Sequence, residues 1–85
     1  MIKYTVILSG KVSKQLDKLS DTVAAPIFKA IRKLQQNPRP PGYCKLTARD
    51  GYRIRVGDYR IIYNIIDSKL IIEVIAIGHR KDIYQ

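Results

Sequence analysis

The side chains of this 85-residue chain that can do chemistry are mainly arginines, gathered in two places. Arg53, Arg55 and Arg60 fall in the run GYRIRVGDYRIIY at positions 51–63. Arg80 stands near the end, among His79, Lys81, Asp82 and Tyr84. Guanidinium groups bind phosphate in bidentate fashion and stabilise charge that builds on a transferring phosphoryl group. That suits metal-free phosphodiester chemistry on RNA, where the 2′-hydroxyl is the nucleophile and the protein has only to position, neutralise and shuttle a proton. His79 is the best general acid or base in the sequence. Tyr84 can orient phosphate, stack on a base or exchange a proton. Plainer readings stand beside these: a solvated outer sheet face for the arginines, a surface histidine without a role, and a hydrophobic clasp for Tyr84.

Other chemistries lack their parts. There is no paired carboxylate for glycoside hydrolysis and no phosphate-cradling glycine-rich loop. Ser9, Ser13, Ser20 and Ser68 fall at caps and turns with no triad partner in view. One cysteine, Cys44, and one histidine do not supply a zinc ligand set, and neither a metal nor a cofactor is expected. Cys44 as a nucleophile would need a base beside it, and His79 is distant in sequence.

The arginine run must be positioned by a β-hairpin. Polar and apolar residues alternate on both sides of Gly57-Asp58, and a two-residue loop with glycine first is the type II′ signal. Val56 then faces Tyr59, Arg55 faces Arg60, and Ile54 faces Ile61. Alternation puts Arg53, Arg55 and Arg60 on one face, with Tyr52, Ile54, Val56, Tyr59, Ile61 and Tyr63 on the other. Like charges directly opposite one another are destabilising, so the arginine face is suited to an anion.

Around the hairpin, residues 2–8 read as a central strand, apolar on both parities. Val12, Leu16 and Leu19 keep helical spacing, with Ser9 as N-cap. Val23, Ile27, Ile31 and Leu34 form a second stripe. Pro26 belongs in a first turn, which places that helix start near Thr22, and Asn37-Pro38 stops it. Residues 38–50 are an unpatterned loop, pinned by Leu46. Its basic residues Arg39, Lys45 and Arg49 either line a binding groove or are merely exposed. Residues 62–66 extend the second hairpin strand, 67–69 turn, and 70–77 return. A Ser68-Lys69 loop pairs Asn64 with Glu73 and sends Ile72, Val74 and Ala76 to the core. It leaves Ile62, Ile75 and Ile77 as an apolar patch beside the arginines, and delivers His79 or Arg80 to that surface.

The expected architecture is α+β, in the order β-α-α-β-β-β: a two-helix hairpin on one face of a small, mainly antiparallel sheet, in one domain over residues 1–85. The net charge of +9 points to a polyanionic partner, most often nucleic acid. Signal-peptide architecture and membrane-length apolar runs are both missing, so a cytosolic protein without a membrane partner is expected.

The run KLTARDGYRIRVGDYRIIYNI, the apolar strand after it and the ending IGHRKDIYQ resemble the RelE/ParE superfamily of bacterial and archaeal toxins. The motifs RxRxGxYRxxY and RxxxY, in that order, carry the resemblance, which spans essentially the whole chain. It implies the RelE-like fold. In the RelE branch it implies an mRNA interferase that cuts the codon in the A site of the 70S ribosome. Attack by the 2′-hydroxyl leaves a 2′,3′-cyclic phosphate and a 5′-hydroxyl. It implies a cognate RelB-like antitoxin as partner, and a toxin–antitoxin complex that binds operator DNA. The ParE branch instead implies inhibition of DNA gyrase, and a non-catalytic antitoxin- or nucleic-acid-binding member is a further alternative. By position, Arg60 matches the family arginine that stabilises the transition state. Arg80 matches the arginine at the leaving group or phosphate, and Tyr84 the tyrosine that orients the substrate. Arg53 and Arg55 stand where RelE members carry lysines. An arginine stays protonated, so both are phosphate ligands rather than bases. Lys45, Arg49 and Lys81 are expected as further phosphate contacts.

Overall fold

A computed structural model describes residues 3–47 and 49–79. Strand β1 (Thr5–Leu8) leads into helices α1 (Gly10–Lys18) and α2 (Asp21–Gln36). Strands β2 (Cys44–Lys45), β3 (Tyr52–Val56), β4 (Tyr59–Ile66) and β5 (Ile71–His79) follow. The five strands form one sheet in the order β1-β5-β4-β3-β2, with β1 parallel to β5 and every other pair antiparallel. The expected α+β order holds, with one addition: Cys44 and Lys45, read as loop, form a two-residue edge strand on β3.

The helices form where the apolar spacing places them. Ser9 caps α1, its hydroxyl accepting from the Val12 amide at 3.2 Å. Helix α2 begins at Asp21, so Pro26 lies in its second turn rather than its first. Thr22 and Pro26 are both exposed, and the carbonyl that loses its usual amide donor is left to solvent. Both apolar stripes pack on one face of the sheet. Val12, Leu16, Ile27, Ile31 and Leu34 meet Ile54, Ile61, Tyr63, Ile72, Val74 and Ile77 in a single buried cluster.

The hairpin register is the expected one: Val56 opposite Tyr59, Arg55 opposite Arg60, Ile54 opposite Ile61. Gly57 has φ +59° and Asp58 is not left-handed, as a type II′ turn requires. Asn64 pairs with Glu73 as expected, but that register does not run the length of the ladder. Between Ile62 and Tyr63 it shifts by one residue, because β5 carries an extra position: Tyr63 faces Val74, while Ile62 faces Ala76 and Ile61 faces Ile77.

This bulge corrects two expectations. Ile77, not Ala76, enters the core, where a larger side chain fills the space beside Ile61. The apolar patch of Ile62, Ile75 and Ile77 does not form, since Ile62 and Ile77 are 2% and 3% exposed and lie on opposite faces. The Ser9 amide donates to the Val74 carbonyl and the Ser9 hydroxyl to the Ile75 carbonyl, tying the start of α1 to the bulge.

The loop before β3 is held at two points. Leu46 is buried as expected, and its amide donates to the Gly51 carbonyl. Gly51 has φ +130°, and a Cβ there would meet Leu46, Asn64 and the Tyr63 carbonyl at 3.2–3.4 Å, so only glycine fits. Tyr63, fully buried, donates its hydroxyl to the Pro38 carbonyl at 2.7 Å.

Candidate active site

The face of the sheet away from the helices carries the arginines. Arg55 stands directly opposite Arg60, and Arg53, two residues along β3, shares their face. Arg53 and Arg60 are half-buried and Arg55 is exposed. Arg55 leans toward the turn, its Nε donating to the Gly57 carbonyl at 3.4 Å. On the neighbouring strand the register sets Gly78 opposite Arg60 and Ala76 opposite Ile62. These two small residues keep β5 low beside Arg60. On the other side of β3, Cys44 faces Arg53, and a shallow cavity of about 220 Å³ lies between Arg53 and the segment Cys44–Lys45 and beyond. Lys45 and Arg49 are exposed near this edge.

His79 is not brought to the arginines. The bulge sets it opposite Tyr59, on the helix side of the sheet, and the two rings meet edge to face with centroids 5.4 Å apart. Without the extra residue in β5, His79 would share parity with Arg60. Of the two residues expected at the arginine surface, His79 or Arg80, the bulge turns His79 to the other face. Arg80, Lys81 and Tyr84 lie outside the described residues.

A second arginine constellation went unseen in the sequence. Arg39 pairs with Asp67 at 3.1 Å, and its guanidinium lies 5.4 Å from the centre of the Tyr52 ring. Tyr4 donates its hydroxyl to the other Asp67 oxygen at 2.7 Å. Arg39 and then Tyr4 hold the Asp67 carboxyl below its ordinary range, and the same bond raises the Tyr4 phenol. Burial raises the Tyr63 phenol well above its ordinary value. Tyr43, Tyr52 and Tyr63 continue the cluster, with ring centroids 6.0 and 5.9 Å apart. Arg39 thus anchors the loop to the sheet. Nothing local in the sequence signals it, because Tyr4, Arg39 and Asp67 are far apart along the chain.

Among the described residues there is no cluster of three His, Cys, Asp or Glu side chains that could hold a metal ion, and no helix long and apolar enough to cross a membrane.

Comparison with known proteins identifies the family of the chain. The family model described as the ParE toxin of type II toxin–antitoxin systems matches residues 6–84. The chain belongs to the RelE/ParE toxin superfamily. Among its relatives is a RelE-like toxin protein of Escherichia coli, 31% identical over 98% of this chain and 92% of that protein. The mRNA interferase toxin RelE of E. coli K12 is 28% identical over 92% of this chain and 84% of its own. The toxin in the archaeal RelE–RelB complex of Pyrococcus horikoshii OT3 superposes with a TM-score of 0.82 at 27% identity, covering 92% of this chain and 96% of that one. The RelE-like fold and membership of the type II toxins are thereby established for this chain. Its distant RelE relatives are mRNA interferases, and structural relatives have been crystallised with RelB antitoxin.

Proposed function

We propose that this toxin is a ribosome-dependent endoribonuclease that cuts mRNA in the A site without a metal or cofactor and so inhibits translation in the cytoplasm. The observation that carries the reading is the hairpin's juxtaposition of Arg55 and Arg60, with Arg53 on the same face and Ala76 and Gly78 on the neighbouring strand. Cross-strand like charges are costly unless an anion lies between them, and a phosphodiester is the anion this spacing suits.

In this reading the 2′-hydroxyl oxygen of the target nucleotide attacks the adjacent phosphorus. Its proton leaves to a base, and the 5′-oxygen departs with a proton from an acid. The products are a 2′,3′-cyclic phosphate and a 5′-hydroxyl. Arg60 stabilises the charge on the phosphoryl oxygens. Arg53 and Arg55 bind and neutralise phosphate, and cannot act as bases because guanidinium stays protonated. By family position, Arg80 neutralises the leaving group and Tyr84 orients the substrate; Lys45, Arg49 and Lys81 add backbone contacts. Proton transfer falls to Tyr84 or to groups that the ribosome brings, since His79 lies on the other face of the sheet. A RelB-like antitoxin neutralises the toxin by covering this face, and the pair binds operator DNA.

The test is primer extension on a defined mRNA with the purified protein, with and without ribosomes paused with an empty A site. Cuts inside the A-site codon are expected only when ribosomes are present. A protein that stops growth but produces no cuts under either condition overturns the reading and shifts the target to gyrase, which a supercoiling assay then measures.

A further inference from the structure

A second basic surface lies apart from the arginine face. On α2, Lys29, Arg32 and Lys33 line a cleft of about 560 Å³ with Lys3, and among the described residues no carboxylate lines it. Lys29 and Lys33 are spaced i, i+4 with Arg32 between, so three exposed cations crowd one helical stripe. Like charges at that spacing weaken a helix. Among the described residues none of the three has an ion-pair partner. Lys33 also lines a second cavity of about 530 Å³, walled by Ala30, by Pro40 and Pro41 of the loop, and by Ile54 and Arg55. The two cavities share Lys33, and the second opens at Arg55, which belongs to the arginine face. β2 covers β3 only as far as Arg53, so the way round the sheet edge at Ile54 and Arg55 is not blocked by a paired strand.

We propose that this is one continuous track for single-stranded RNA. The strand held at the arginine hairpin passes over the Pro40–Pro41 loop to Lys33 and on to Lys29 and Arg32. The inference rests on the RNA reading of the arginine face. Its ligand is a sugar–phosphate backbone: the lining offers evenly spread cations and apolar walls, which follow phosphates and bases without reading sequence. A separate ribosomal strand or an acidic protein has no need of the connection through Lys33 to Arg55, and that connection decides between them.

The test uses 2′-O-methyl RNA, which cannot be cut because its nucleophile is blocked, in lengths of about 4 and about 12 nucleotides. Binding to the purified full-length toxin is followed by fluorescence anisotropy across a salt series. The wild type is expected to bind the longer strand about tenfold or more tightly than the shorter, with a steeper salt slope. The double variant Lys29→Glu/Lys33→Glu is expected to lose most of that gain, to lower the slope on the longer strand by about 1.4, and to bind the short strand as before. Its circular dichroism and Tm report that α2 is intact. Lys11→Glu/Lys14→Glu, the same charge change on exposed positions of α1, is expected to keep the gain. Equal loss in both variants, or a gain that survives in Lys29→Glu/Lys33→Glu, overturns the track. Arg60→Ala separates the two readings, because short-strand binding that ignores it counts against the arginine face and leaves the length comparison to judge the track.

Discussion

Arg39 and Arg55 carry the same side chain into opposite circumstances. Arg39 meets a carboxylate, Asp67, and lies over the Tyr52 ring. Its charge is satisfied within the protein, and it fastens a proline-rich loop to the sheet. Arg55 is set against Arg60 across two strands. There the charge is not cancelled by its cross-strand neighbour but doubled. The number of arginines in a region therefore says little about a site. What distinguishes the two regions is what the fold sets against each arginine: a carboxylate against Arg39, a second guanidinium across the strands from Arg55.

The sharpest way to break this contrast is to exchange its consequences. Arg60→Ala is expected to lower ribosome-dependent cleavage by about 10²–10³-fold, as for loss of one preorganised donor to a developing charge, with Tm nearly unchanged. Arg39→Ala is expected to lower Tm and leave cleavage per folded molecule intact. Primer extension and thermal melts on both variants measure this, and the reverse pattern would end the comparison.

Next in size are effects on the anchored corner. Gly51→Ala crowds a β-carbon against the Leu46 and Asn64 side chains, at 3.2 and 3.3 Å, and holds it at a φ of +130°. A loss of about 1–3 kcal/mol in urea unfolding is expected. Tyr63→Phe removes the bond to Pro38 and is expected to cost about 1 kcal/mol near neutral pH. Tyr63 also sharpens the comparison through pH. Its folded pKa is raised, so its contribution is complete below the unfolded value near 10 and is lost as pH rises above it. The gap in stability between wild type and Tyr63→Phe should therefore narrow in alkali. The smallest effect belongs to Asp67. Its folded pKa is lowered, so its stabilisation is present above the unfolded carboxylate value and lost as pH falls through the folded one. Asp67→Asn is expected to flatten that acid limb slightly, because the pair is largely exposed and screened.

Much of the positioning was legible in the sequence because it is local. The turn at Gly57-Asp58, the register it imposes and the shared face of Arg53, Arg55 and Arg60 follow from neighbouring residues and a two-residue period. The helices followed from apolar spacing, with Pro26 misleading by only one turn position. Cys44 and Lys45 were unreadable as a strand because two residues carry no period.

By itself, then, the sequence determined the helical hairpin, the arginine hairpin and the excess of positive charge, since adjacent residues and elementary sterics suffice for each. Only the tertiary structure decided the rest. It laid β1 parallel to β5 and closed Arg39 onto Asp67, contacts between residues too distant for any pattern to link. It also placed the extra residue in β5, which turned Ile77 into the core and His79 toward Tyr59. A bulge is chosen by packing: both registers satisfy the local alternation, and this one fills the core beside Ile61 with isoleucine while the Ser9 hydroxyl donates to the Ile75 carbonyl.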